Sequence, residues 1–358
     1  MRVMIAGGGT GGHVIPALAI ADALKSAYAA EVCFIGTARG METLLVPQAG
    51  YELQLIDVGQ LNRVSLATKL KTLVALPRGI VHCLSLLRRW QPQAVVGVGG
   101  YASGPAMLAA LLLRVPTLAF EPNAVPGMAN RLIGKRISAA AVNFAPTRAY
   151  FRNAEVTGIP VRAEFFALAP KDGAPRLLVM GGSQGARALN QKMPQIAKTL
   201  LESLPGLTIL HQAGARHAET TQAAYAASGA SADRWRVQAF LEDMPAQFAA
   251  SDLILARSGA STVAELAASG KPSLLVPFPQ AADDHQRKNA EVLVEGGAAA
   301  MLLEQDMTET SLLDTLTGLL SHPGKLQEMA VRARTFAYPQ AAAKIAEMLA
   351  GLVASPSR

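Results

Sequence analysis

MRVMIAGGGTGGHVIPALAIADAL, residues 1–24, begins with a short apolar run, RVMIA at 2–6. It breaks at once into a loop with five glycines in six positions, Gly7 to Gly12. From about His13 to Ala27 the apolar residues recur at helical spacing, and Pro16 falls in the first turn, where its missing N–H is tolerated. Strand, glycine loop and helix form the opening unit of a parallel sheet with covered faces. VCFIG at 32–36 supplies the next strand, and Ala94–Gly97, Thr117–Phe120 and Ala139–Val142 continue the rhythm. At residue 176 the unit starts again. RLLVM (176–180) leads into GGSQG (181–185) and a helix over Ala186–Leu200, with later strands at Leu207–His211, Arg236–Ala239, Asp252–Ala256 and Ser273–Val276. One unit used twice predicts an α/β protein of two Rossmann-like domains facing a deep cleft, with ligands beyond the carboxyl ends of the strands.

A chain of 358 residues suits two such domains, and 51% apolar against 16% charged residues excludes a disordered protein. The segment 157–175, rich in Pro and Gly, is the expected linker. The expected domains are 1–162 and 163–339, with a helix over 340–358 packing back on the first. Cys33 and Cys83 form no C-x-x-C pair, so both read as small buried hydrophobes in a reducing compartment. The N-terminus lacks the apolar region of a secretion signal. The run Ala106–Leu113 is far short of the roughly 20 residues that span a bilayer, so the chain is expected not to cross a membrane.

Charge is distributed unevenly. Residues 1–160 hold 15 Lys/Arg against 7 Asp/Glu, a net of +8, while the remainder is near neutral. Between Asp57 and Glu121 there is no acid, but Arg63, Lys69, Lys71, Arg78, Arg88, Arg89 and Arg114 are present. Leu66, Leu70, Leu73, Val74 and Leu76 are interleaved with them. Such a segment predicts an anionic partner, and a basic, apolar stretch suits an anionic phospholipid surface. Nucleic acid is not expected, because no aromatic platform or recognition element accompanies the charge.

Gly7-x-Gly9-x-x-Gly12 formally matches a dinucleotide fingerprint. An NAD enzyme also wants an acid at the end of the second strand. Here that strand ends Phe34-Ile35-Gly36-Thr37, and Glu31 stands at its start. No G-K-[ST] follows either loop, so neither is a Walker A motif. His13 is either a capping residue or a base facing a ligand. A helix N-terminus disfavours imidazolium, leaving a ring able to accept a proton. Gly182-Ser183-Gln184-Gly185 is either an ordinary turn or a diphosphate cradle. Thr262-x-x-Glu265 reads as a capping box with the acid at N3, and equally as a carboxylate for two ribose hydroxyls. Asp283-Asp284 read as helix N-terminal acids, since no third metal ligand follows at fixed spacing.

GGGTGGHVIPALAIA at 7–21, GGYASGPAMLAA at 99–110, EPNAVPGMANR at 121–131, TGIPVR at 157–162, GGSQGARALN at 181–190, RSGASTVAELAASGKPSLLVPFP at 257–279 and AADDHQRKNA at 281–290 span the chain in order. Together they resemble the MurG family of UDP-N-acetylglucosamine:N-acetylmuramyl-(pentapeptide) pyrophosphoryl-undecaprenol N-acetylglucosamine transferases. The resemblance implies an inverting glycosyltransferase of the B type, using UDP-GlcNAc as donor and lipid I as acceptor, with no metal and no cofactor. It implies His13 as the base and Glu121 as the second candidate. Thr10, Gly11 and Gly12 would line the reaction centre, and Asn123 would contact the transferred GlcNAc. Arg162, Ser183 and Gln184 would lie near the diphosphate. Phe240 and Leu241 would read the uracil edge, Glu265 the ribose, and Gln286 the GlcNAc, with His285 beside it. Where some members carry a histidine before the acid, this chain has Phe120. The resemblance also implies a peripheral protein on the cytoplasmic face of the cell membrane, partnered by other cell-wall synthesis and division proteins. Two other classes remain at this point: a sugar-nucleotide binding protein without catalysis, and a UDP-sugar epimerase.

Overall fold

The computed structural model describes residues 1–58, 66–168, 173–182 and 184–354, the stretch 66–76 by its backbone alone. Two compact units emerge. One is Met1–Pro160 together with the segment from Gln340, and the other is Val161–Pro339. The division falls two residues before the expected boundary. Arg162, expected at the end of the first domain, therefore belongs to the second. The helix Ala341–Ala354 packs on the helix Gly11–Tyr28 of the first unit, burying Ile345, Ala346 and Leu349.

The first unit is a parallel sheet of β1 (Arg2–Ala6), β2 (Glu31–Gly36), β3 (Glu52–Leu55), β4 (Ala94–Gly97), β5 (Thr117–Glu121), β6 (Ala139–Val142) and β7 (Ala154–Val156). Its order is β3-β2-β1-β4-β5-β6-β7. The second is β8 (Arg176–Met180), β9 (Thr208–Gln212), β10 (Trp235–Gln238), β11 (Leu253–Ala256), β12 (Ser273–Leu275) and β13 (Ala300–Met301), ordered β10-β9-β8-β11-β12-β13 and again parallel throughout. Helices cover both faces, which is why central strands such as Val3–Ala6 and Leu177–Val179 are wholly buried and read as unbroken apolar runs. The strand order reverses between β1 and β4 and between β8 and β11. At such a reversal the loops leaving the two strands part in opposite directions and open a crevice at the carboxyl edge.

Several expectations change in detail. β3, β7 and β13 lay outside the sequence reading. All three are short edge strands, half-covered, and lack the continuous apolar signal of a central strand. The glycine-loop helices run Gly11–Tyr28 and Arg187–Ser203. The capping box is absent: the helix carrying Glu265 is Ala260–Ser269, with Gly259 as N-cap, so Thr262 lies inside its first turn and Glu265 in the next. Asp283 and Asp284 do not start a regular helix. Both adopt left-handed backbone, φ 51° and 53°, just before the helix His285–Glu295. Cys33 and Cys83 are buried free thiols, each pushed up to about 12 chiefly by burial. Among the described residues no helix is long and apolar enough to cross a membrane.

The expected linker is also partly core. A short 3-10 turn, Ala163–Phe165, buries Phe165 completely, edge-on to Phe248 at 5.1 Å between ring centroids. Phe165→Ala is expected to lower the unfolding free energy of the second unit by about 3–5 kcal/mol. Urea denaturation of wild type and variant, followed by far-UV circular dichroism, measures it.

Candidate active site

In the first unit, the loops after β1 and β4 interlock. Gly100, φ +80°, presses against the backbone of Gly8, where a Cβ would overlap the Gly8 carbonyl. Gly99, φ +92°, lies under the His13 ring, and a Cβ there would stand 2.9 Å from His13 Nε2. Both positions need positive φ and the absence of a side chain, which only glycine supplies at no steric cost. His13 is half-buried in the first turn of its helix, and its N–H donates to the Thr10 carbonyl at 3.1 Å. Thr10 is the N-cap by backbone, but its hydroxyl makes no cap bond and sits 3.5 Å from His13 Nδ1. Thr10 and Gly12 are exposed and Gly11 is half-buried, so this face of the loop is open to a ligand.

Glu121 ends β5 and is 2% exposed. One of its oxygens accepts from the Asn123 N–H at 3.1 Å and from Asn123 Nδ2 at 3.2 Å. The other accepts from the Gly127 N–H at 3.1 Å and from Asn130 Nδ2 at 2.9 Å. Burial raises its pKa, and the donors from Asn130, Asn123 and Gly127 offset only part of that rise. With four donors on its two oxygens, the Glu121 carboxyl group braces the 121–130 loop. Its effect is to hold Asn123 in place. Thr147 secures the same loop by donating to the Ala124 carbonyl at 2.9 Å.

In the second unit, Gly182 and Gly185 turn the loop after β8, and the Gly185 N–H donates to the Gly182 carbonyl at 2.9 Å. Ser183 lies outside the described residues; Gln184 is exposed. A buried chain of hydrogen bonds props the loop from behind. The Tyr225 hydroxyl meets His211 Nδ1 at 3.1 Å, His211 Nε2 meets Asn190 Oδ1 at 3.0 Å, and Asn190 Nδ2 donates to the Ala213 carbonyl at 2.8 Å. Ala213 and Gly214 back directly onto Gln184 and Gly185. Burial drives the His211 pKa down to about 3, so this histidine is a neutral structural element.

Glu265 is half-buried on the helix after β11, with its pKa raised to about 7 by burial, an effect that Arg162 partly opposes. Arg162 also lies 5.2 Å from the Phe165 ring centroid. After β10, Phe240 is 60% exposed while Leu241 is buried. Gln286 Oε1 accepts from the Phe278 N–H at 3.0 Å, and the Gln286 carbonyl accepts from the Ser258 hydroxyl at 2.8 Å. His285 Nδ1 lies 2.7 Å from the Ala282 carbonyl. Arg257 was missed by sequence reading. It donates to the carbonyls of Val276 and Pro277 at 3.0 and 3.1 Å and pairs with Glu304 at 2.5 Å, tying the loops after β11 and β12 together.

The residues 3–142 match the glycosyltransferase family 28 N-terminal domain and residues 176–345 its C-terminal domain. The chain is 44% identical to a protein of Anaeromyxobacter dehalogenans over 99% of this chain and 93% of that one. It is 46% identical to one of Solibacter usitatus over 97% and 94%. Both relatives are named UDP-N-acetylglucosamine--N-acetylmuramyl-(pentapeptide) pyrophosphoryl-undecaprenol N-acetylglucosamine transferase. The crystal structure of Acinetobacter baumannii MurG superposes with a TM-score of 0.80 at 34% identity, over 98% of this chain and 99% of that one. The chain belongs to the MurG family. Membership accounts for the two doubly wound sheets of the B-type glycosyltransferase fold. A UDP-N-acetylglucosamine 2-epimerase from Listeria monocytogenes shares that fold, with a TM-score of 0.68, but at 13% identity the likeness concerns the fold alone. Within the MurG framework, Thr10, His13, Glu121 and Asn123 stand at the carboxyl edge of the first sheet. Gln184, Phe240, Leu241, Glu265, His285 and Gln286 follow the carboxyl ends of strands in the second.

Proposed function

We propose that this chain transfers N-acetylglucosamine from UDP-GlcNAc to the 4-hydroxyl of N-acetylmuramic acid in lipid I, giving lipid II for peptidoglycan synthesis. The observation that carries the reading is identity of 44–46% to transferases of that name along nearly the whole chain.

The second unit takes the donor. The backbone at Phe240–Leu241 meets the uracil edge, and Glu265 accepts from the ribose hydroxyls. Gln184 and the N-terminus of the helix that follows the loop take the diphosphate. Arg162, within electrostatic reach of Glu265, adds positive charge there. Gln286 has its carbonyl oxygen occupied by Phe278, so its NH₂ group is the one left to donate to GlcNAc.

The first unit takes the acceptor. The 4-hydroxyl attacks C1 of GlcNAc as the bond from C1 to the UDP oxygen breaks, which inverts the anomeric centre. The hydroxyl proton passes to His13, and the charge appearing on the diphosphate is met by backbone N–H groups already aimed at it. Asn123, fixed by Glu121, orients the transferred sugar.

A polyprenyl acceptor cannot leave the bilayer, so the protein works on the cytoplasmic face of the membrane as a peripheral protein, alongside other cell-wall synthesis and division proteins. Support comes from the basic run and from three successively packed helices of the first unit. On the helix Leu66–Trp90 Val81 is 65% exposed, on Ser103–Leu112 Leu112 is 67% exposed, and on Met128–Ile133 Leu132 is 69% exposed. Arg78, Arg88, Arg89, Arg114 and Arg131 are exposed on or beside the same helices. The side chains of Lys69 and Lys71 lie outside the described residues.

Glu265→Ala is expected to weaken UDP-GlcNAc binding by about 1.5–3 kcal/mol in calorimetric titration, the worth of a charge-assisted hydrogen bond. The diol needs the carboxylate form, so wild-type affinity is expected to fall as pH drops through about 7, while Glu265→Gln flattens the profile. UDP-GlcNAc suits the test because its diphosphate is a diester with no titration in that window.

His13→Ala is expected to lower kcat about 10²–10⁴-fold while leaving donor affinity unchanged. The assay is UDP release that depends on lipid-linked acceptor. Near-normal kcat in the variant would exclude His13 as base, and turnover of donor without acceptor would favour the epimerase class.

Flotation with vesicles containing anionic phospholipid is expected to recover the wild type, with recovery reduced by salt. Changing Lys69, Lys71, Arg88 and Arg89 to Glu should impair flotation and turnover of the natural lipid acceptor, and spare turnover of a soluble short-chain acceptor. Equal flotation of both proteins would overturn the patch.

A further inference from the structure

Glu42 begins the helix Glu42–Gln48, and nothing in the local sequence marks it. In the fold it is 1% exposed and lies beneath the first glycine loop. Its carboxylate accepts from the Gly9 N–H at 2.7 Å, the Thr37 N–H at 3.0 Å and the Thr37 hydroxyl at 2.9 Å. The preceding residue closes the clasp, since the Met41 N–H donates to the Gly9 carbonyl at 3.3 Å. Three glycines make room. A Cβ on Gly8 or Gly40 would overlap the carboxyl group itself, and one on Gly36 would stand 2.7 Å from the Glu42 Cγ.

Burial alone would raise the pKa of this acid. The donors from Gly9 and Thr37 outweigh it and hold the group below the usual carboxylate range, so it is an anion at neutral pH. The helix Gly11–Tyr28 has no acid in its own first turn. Glu42, from another element, places a fixed negative charge at the loop that leads into that N-terminus, where the helix dipole favours one.

We propose that Glu42 is a positioning residue for the transfer reaction, which fixes Thr10 and His13 by pinning both the N–H and, through Met41, the carbonyl of Gly9. Thr10 is the next residue, and His13 hangs from the Thr10 carbonyl, so a displaced Gly9 carries both with it. The inference rests on the assignment of His13 as the base. Glu42 itself touches no substrate.

Glu42→Gln keeps the volume but turns one acceptor oxygen into an NH₂ group opposed to an N–H donor. It is expected to lower kcat with lipid acceptor about 10²-fold, the scale of a reacting group displaced by about 1 Å. Affinity for UDP-GlcNAc is expected to stay within about twofold, because the residues assigned to its uracil, ribose and diphosphate lie in the other unit. Gly40→Ala pushes on the same carboxylate with its charge intact and is expected to reproduce the loss, which keeps the test alive if Glu42→Gln does not fold. On a His13→Ala background, Glu42→Gln is expected to cost less than about threefold more, since coupled residues are not additive. Wild-type kcat in both Glu42→Gln and Gly40→Ala would overturn the proposal. A parallel fall in donor affinity would do so too, by reporting general destabilisation, as would a full further 10²-fold loss on top of His13→Ala. His13→Ala retaining wild-type kcat overturns the base assignment by itself, whatever Glu42→Gln does.

Discussion

Parallel strands deliver all their carboxyl ends to one edge of a sheet, and every described candidate residue depends on that constraint. His13 follows β1, Asn123 follows β5, Phe240 follows β10, and Glu265 and Gln286 follow β11 and β12. Within each unit, residues more than a hundred positions apart share one edge, His13 with Asn123 in the first and Gln184 with Gln286 in the second. The reversal of strand order spreads the loops on either side of β1 and β8, so the two glycine-rich turns hold the central place in their respective units.

The loops are held by buried polar groups rather than by apolar packing. Glu42 and Glu121 are acids that a hydrophobic interior would normally exclude, and both persist because several N–H and O–H donors converge on them. Each lies one step behind a residue assigned to contact ligand: Glu42 behind Thr10 and His13, Glu121 behind Asn123. The neutral His211, between Tyr225 and Asn190, does the same for the loop after β8. Glu265 is the contrast. Burial pushes its pKa upward, and Arg162 opposes only part of that rise.

Central strands such as Ala94–Gly97 and Arg176–Met180 were legible to the residue, because burial on both faces forces an unbroken apolar run between turn residues. The edge strands ELQL, AEV and AM were not, since one covered flank leaves no such run. The Thr262-x-x-Glu265 signature misled because the chain leaves β11 already turned for a helix at Gly259, and tertiary placement outweighs a local capping preference. At the candidate site, the residues proposed to face ligand were legible through motifs. Those that support them, such as Glu42, Arg257 and His211, were not, because they have partners on other elements of the fold.

The second unit is spliced into the first, which regains its last helix only after Pro339. A chain made from its N-terminus folds domain by domain as it emerges. Residues 161–339 are contiguous and can complete their core while synthesis continues. The first unit, begun earlier, must wait with the flank of the helix Gly11–Tyr28 uncovered until Ile345, Ala346 and Leu349 arrive. The half of the protein made first is therefore the last to be finished, and a premature stop ahead of Ile345 would leave it open.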